Sequence, residues 1–206
     1  MKDNWTIIAA EREALAADVG NLTEDQWQTP SLCAGWTVHD VLGHMSATAR
    51  LGVHAFFAAF VKSGFSFDKM ANSRVAEETA GGPANTLARF RAVVASRVHP
   101  PGPADTWLGE VIVHSEDIRR PLGIAHQYPP EAATRVADFY KGSNLLIGAK
   151  RRISGLRLRA TDTDWTTGDG PEVAGPIAAI VVAMAGRTAA IDDLDGEGVA
   201  TLRARG

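Results

Sequence analysis

The chain has 206 residues, a formal net charge of −3, 45% hydrophobic residues and 22% charged residues. That length suits one large domain or one domain with a small appendage, and the composition supports a sizeable core and excludes wholesale disorder. The mild acidity gives no electrostatic reason to bind nucleic acid or an anionic membrane, and the single cysteine, Cys33, excludes an internal disulfide framework and fits a reducing cytosol.

The N-terminal stretch MKDNWTIIAAEREALAADVG breaks its apolar run with Glu11, Arg12, Glu13 and Asp18. It reads as an amphipathic helix from about Asn4 to Val19, with Trp5, Ile8, Leu15 and Val19 at helical spacing, and not as a signal peptide or membrane span. In LTEDQW, Thr23 and Gln26 have capping-box spacing. A long helix is expected to open at GWTVHD, capped by Thr37 with Asp40 three residues on, and to run to about Lys62. A broken helical stretch over roughly 68–98 is interrupted by Gly81-Gly82-Pro83. HPPGPAD is a linker whose Asp105 or Thr106 caps the next helix, which ends near Arg120 because Pro121 restricts its predecessor. A fifth helix follows Pro129-Pro130 and runs to about Ala149.

The pattern then changes. GLRLRATD (155–162) alternates as a half-buried strand does; TTGDGPEVAGP turns, IAAIVVAMAG (177–186) is apolar, and VATLRAR (199–205) reads as a last alternating strand. The fold class is therefore α+β: a helical bundle over 1–150, then a small α/β domain over 151–206 that is too short for an independent core.

The helix containing GEVIVHSEDIRRPLG carries the chemistry. On an ideal helix Glu110 and His114 lie about 40° apart and Asp117 about 20° to the other side of Glu110. Trp107, Val111 and Ile118 mark the buried side; Gly109, Glu116 and Arg120 mark the exposed one. Glu110 and His114 thus fall toward the core, where a carboxylate is costly unless paired or bound to a cation. On the preceding long helix His44 shares a face with Val41, Met45, Thr48, Leu51 and Ala55, while His39 and Arg50 point away. Two imidazoles and one carboxylate make a ligand set for Zn²⁺ or another divalent ion with positions left open, as in catalytic sites. Hydrogen-bonded core residues explain the same pattern without a metal.

The segments TPSLCAGWTVHDVLGHMSATAR, GEVIVHSEDIRRPLG and GDGPEVAGP…AMAGR together resemble the mycothiol-dependent maleylpyruvate isomerase family of DinB-like proteins. The resemblance spans nearly the whole chain. It implies a DinB-like up-and-down four-helix bundle with a small C-terminal α/β domain, a divalent metal, usually zinc, and mycothiol as cofactor or co-substrate. In that family's pattern His44, Glu110 and His114 fall on the metal ligands, and Arg187 falls on an arginine used on substrate carboxylates. Asp117 would orient a histidine or bind the cofactor; a surface acid paired with Arg119 or Arg120 is the alternative. The resemblance gives Cys33 no role, and a buried structural thiol is its plain reading. Trp36 and Trp107 wall the pocket or core, TTGDGPE lacks the GK[ST] of a phosphate loop, and Arg151, Arg152, Arg157 and Arg159 read as a solvated face.

The function expected from these readings is a metal-dependent, mycothiol-using cytoplasmic enzyme, isomerase or S-transferase, in which a metal-bound thiolate attacks a small electrophile. The rivals are a metal-binding sensor of the same fold without turnover, and a bundle with no metal.

Overall fold

The computed structural model describes residues 3–145 and 147–206, and the chain divides into two compact units, Met1–His126 and Gln127–Gly206. The fold is α+β, with helices throughout the first unit and a three-stranded sheet in the second. Among the described residues no helix is long and apolar enough to cross a membrane.

The first unit contains α1 (Asn4–Asp18), α2 (Glu24–Trp27), α3 (Val38–Thr48), α4 (Val53–Lys62), α5 (Phe67–Thr79), α6 (Pro83–Arg91) and α7 (Ala104–Arg119). Helices α1, α7, α3 and α6 close a ring of contacts, each packing on the next, and α5 covers the outer side of α3 and α6. The two capping boxes form as read: Thr23 with Gln26 and Thr37 with Asp40 satisfy donors that helix starts leave unpaired.

Four expectations for this unit are corrected. The helix opening at Thr37 stops at Thr48, because Leu51 buries itself in the core and Ser96 Oγ donates to the Ala49 carbonyl at 2.8 Å, diverting the chain before α4. Neither Asp105 nor Thr106 caps α7, which starts behind Pro103 without a side-chain cap; Asn4 Nδ2 instead donates to Asp105 at 2.7 Å. The expected exposed side of α7 is not exposed: Gly109 and Glu116 are buried, and only Arg120 keeps partial contact with solvent. His39, expected to face away from the core, is buried as well, with its ring against Trp27 and Nε2 2.8 Å from Thr86 Oγ1.

The second unit contains α8 (Pro130–Tyr140), α9 (Ala149–Arg152), β1 (Arg157–Ala160), β2 (Thr166–Thr167), β3 (Glu172–Gly175), α10 (Ile177–Met184), a 3₁₀ segment (Thr188–Asp193) and α11 (Val199–Arg203). The sheet order is β2-β1-β3, with β1 antiparallel to β2 and parallel to β3 in the register Leu158↔Val173. The apolar run forms α10, whose first amide is capped by Asp162 Oδ1 at 2.8 Å and which packs on α8, β1 and β3. Helix α8, expected as the bundle's last element, thus packs with the C-terminal unit, and the division falls at 126/127 instead of near 150. It also ends at Tyr140, short of the expected Ala149. The expected last strand is the helix α11: Ala, Leu and Arg are good helix formers, and the free edge of β3 is already bridged by Asp195. The glycines of TTGDGPE serve a turn, since a Cβ at Gly168 would lie 2.2 Å from the Leu156 carbonyl oxygen.

Candidate functional site

Helices α3 and α7 are buried over most of their surface. Each leaves one narrow strip partly open at i, i+4 spacing: Asp40 and His44 on α3, and Thr106, Glu110 and His114 on α7. The rings of His44 and His114 meet edge to face with centroids 4.8 Å apart, so the two strips converge. Trp36 closes one side, its ring 5.0 Å from His44 and its indole N–H held by Asn72 Oδ1 at 2.9 Å.

His114 is fixed from behind. Its Nδ1 lies 2.9 Å from Oδ2 of Asp117, which is fully buried and is therefore not the surface acid considered from the sequence. The same oxygen accepts the Cys33 thiol at 3.1 Å, and Sγ lies 3.8 Å from His114 Nδ1. Burial opposes a charge on His114, but the hydrogen bonds to Asp117 and Cys33 outweigh it and push its pKa up to about 10. Cys33 is brought there by the tight SLCAGW turn, in which Gly35 takes a positive φ of 79°, Ser31 Oγ donates to the Trp36 carbonyl at 2.8 Å, and the Leu32 amide reaches the Asp117 carbonyl at 3.3 Å. The thiol is half-buried, and its partners His114 and Asp117 lie 81 and 84 residues away in sequence, beyond the reach of local pattern.

Glu110 is the anomaly. Both carboxylate oxygens are shut off from solvent, and neither has a hydrogen-bond partner. Burial pushes its carboxyl pKa above the usual range, against the pull of His114 and Arg12. Arg12 is itself buried and donates to the Ser96 carbonyl at 3.1 Å. Its position was legible: residues 8, 12, 15 and 19 form one helical stripe, and an arginine within that stripe signals a buried charge to be answered.

A divalent cation fits what this site lacks. An orphaned carboxylate beside His114, whose ring abuts that of His44, belongs to a hard-and-borderline donor set, and a ligating histidine whose other ring nitrogen donates to a carboxylate is the usual supporting arrangement. Among the described residues, the three donors whose ligand atoms do lie within 4.8 Å of one another are Cys33, His114 and Asp117, a group that shares His114 and could hold a metal itself. Those atoms, however, already satisfy each other by hydrogen bonds, whereas Glu110 has none.

Arg187 lies in the second unit, at the start of the 3₁₀ segment, where its Nη1 donates to the Ala185 carbonyl at 3.0 Å. Trp107 is a core residue, tilted against His99.

The family model described as Mycothiol maleylpyruvate isomerase N-terminal domain matches residues 8–119, which include all of the residues above except Arg187 and its acceptor Ala185. A crystal structure of the mycothiol-dependent maleylpyruvate isomerase is similar over 94% of this chain and 91% of that one, with a TM-score of 0.60 at 17% identity. The crystal structure of a histidine-to-alanine mutant of a mycothiol-dependent maleylpyruvate isomerase matches with the same coverage, a TM-score of 0.58 and 16% identity. At such identities the likeness is one of fold. No curated protein matches the chain. The match to the family model covers more than half of the chain, and the chain belongs to the mycothiol maleylpyruvate isomerase N-terminal domain family.

Proposed function

We propose that the chain is a divalent-metal-dependent, mycothiol-using isomerase of the maleylpyruvate type, acting on a small electrophile in the cytoplasm, with the metal held by His44, Glu110 and His114. The observation that carries this reading is the buried Glu110 carboxylate with no hydrogen-bond partner, on the same open strip as His114, whose ring abuts that of His44. Family membership and the fold shared with the isomerase support the reaction class.

When bound, the cation, zinc in the first place, supplies the charge that keeps a coordinated thiol deprotonated near neutral pH. The chain's own residues do the rest. Asp117 holds the Nδ1 proton of His114, so Nε2 is the nitrogen that would give up its proton to a metal. Cys33 donates to that same Asp117 oxygen and steadies it; as a positioning group it needs no base and attacks nothing. Trp36 walls the strip beside His44. Arg187, by its matching position in the C-terminal motif, is assigned to the substrate carboxylate, for which a guanidinium fork is suited.

Elemental analysis of the purified protein tests the ligand set. About one divalent ion per chain is expected for wild type, and His44→Ala should lose it while keeping its fold by circular dichroism. Cys33→Ala should keep the metal. If Cys33→Ala loses the metal and His44→Ala retains it, the metal belongs to the Cys33, His114 and Asp117 group and the assignment is wrong.

A further inference from the structure

The second unit holds a cavity of about 420 Å³ lined by Gly148, Arg151, Arg152, Ser154 and Arg205. Three of its five lining residues are arginines, and no acid lines it. Other arginines of this unit are answered by carboxylates: Arg157 and Arg159 lie against Glu172, and Arg203 against Asp192. Among the described residues, Arg151, Arg152 and Arg205 pair with no side-chain carboxylate. Backbone carbonyls hold two of them in place instead. Arg152 donates to the carbonyls of Ile147 at 3.1 Å, Met184 at 2.5 Å and Arg205 at 3.3 Å. Arg205 in turn donates to the carbonyls of Arg152 at 3.0 Å and Ser154 at 2.6 Å. Space for the Arg152 head is kept by a glycine, since a Cβ at Gly186 would lie 2.9 Å from its Nη2. Arg152, expected from sequence on a solvated face, is instead braced together with Arg205. Burial, then the nearby charges of Arg151 and Arg187, lower the pKa of Arg152. Like charges gathered and braced around a cavity repel one another until an anion enters.

We infer that the cavity walled by Arg151, Arg152 and Arg205 binds a small dianion through carboxylate or phosphate oxygens. Its volume suits a ligand of metabolite size, and guanidinium groups bind such oxygens in pairs. The site lies in the second unit and does not depend on the metal assignment in the first. Arg151 is the clean probe, because among the described residues its backbone N–H donates to Asn144 Oδ1 while its side chain makes no hydrogen bond. Isothermal titration of the full chain with inorganic phosphate and, separately, with succinate is the experiment, in low-salt buffer. At least one anion should bind, and Arg151→Glu should weaken it by at least about tenfold with unchanged thermal unfolding. Binding of phosphate alone identifies a phosphate-bearing ligand, and binding of succinate alone identifies a dicarboxylate. No heat from either anion, a heat matched by chloride at equal ionic strength, or equal affinity in Arg151→Glu overturns the inference.

Discussion

Helices α7 and α4 invert the usual expectation about burial. Helix α4, VHAFFAAFVK, is overwhelmingly apolar yet has no buried residue, with Phe57 54% and Val61 59% exposed. Helix α7 carries Glu110, His114, Glu116, Asp117 and Arg119, and most of it is buried. The difference lies in partners. Arg119, fully buried, donates from Nε to Asp18 Oδ2 at 2.8 Å, with Nη2 2.7 Å from the same oxygen but off the line of a second hydrogen bond. Arg120 answers Glu116 at 2.6 Å, and His114 answers Asp117. A charge enters the interior when its opposite number is already placed there; an apolar helix enters only if another element faces it, and α4 has α5 alone as a substantial neighbour.

That contrast can be broken at its strongest point first. Arg119→Ala leaves the Asp18 carboxylate without its partner and opens a void beside α1, so unfolding free energy should fall by about 3 kcal/mol, read by urea denaturation. A loss below about 1 kcal/mol would mean that the pair contributes little and that α7 is held by its apolar residues alone. Glu110 sharpens the comparison, because it is the one buried acid of α7 with no hydrogen bond. Glu110→Met should abolish metal binding and raise the stability of chelator-treated protein by on the order of 1 kcal/mol, a gain bought at the expense of function. If the metal-free variant melts below metal-free wild type, the carboxylate has a structural partner and the site is not strained. The smallest effect belongs to α4: Phe57→Ser should change unfolding free energy by less than about 0.5 kcal/mol, since the ring is already more than half in water. A larger loss would show that α4 is packed against something in solution.

Local chemistry was legible in the sequence, and partners brought from afar were not. Both capping boxes, the Gly-Gly-Pro break and the apolar α10 depend on residues within a few positions of one another. The stop after Thr48 was invisible because Ala49, Arg50 and Leu51 all suit a helix, and the group that captures the Ala49 carbonyl, Ser96, lies 47 residues on. The seven residues VATLRAR alternate like a strand and have the propensity of a helix, and only the occupied edge of β3 decides between them. For the candidate site, the convergence of His44 and His114 could be anticipated from helical phase. The buried Asp117 and its contact with Cys33 could not, because the phase of α7 was anchored on Glu116 as an exposed residue, and Glu116 is buried with Arg120 as its cover.

The narrow strip holding Glu110 and His114 lies on a helix enclosed nearly everywhere else. Segments packed in this way exchange their amide hydrogens only when the surrounding unit opens as a whole. The amides of α7 are therefore expected among the slowest to exchange in the first unit, and those of α4 among the fastest. Fraying cannot loosen the strip while leaving the rest folded, so a ligand held there would exchange with the fold intact, its residence time set by its own contacts and not by breathing of the helix.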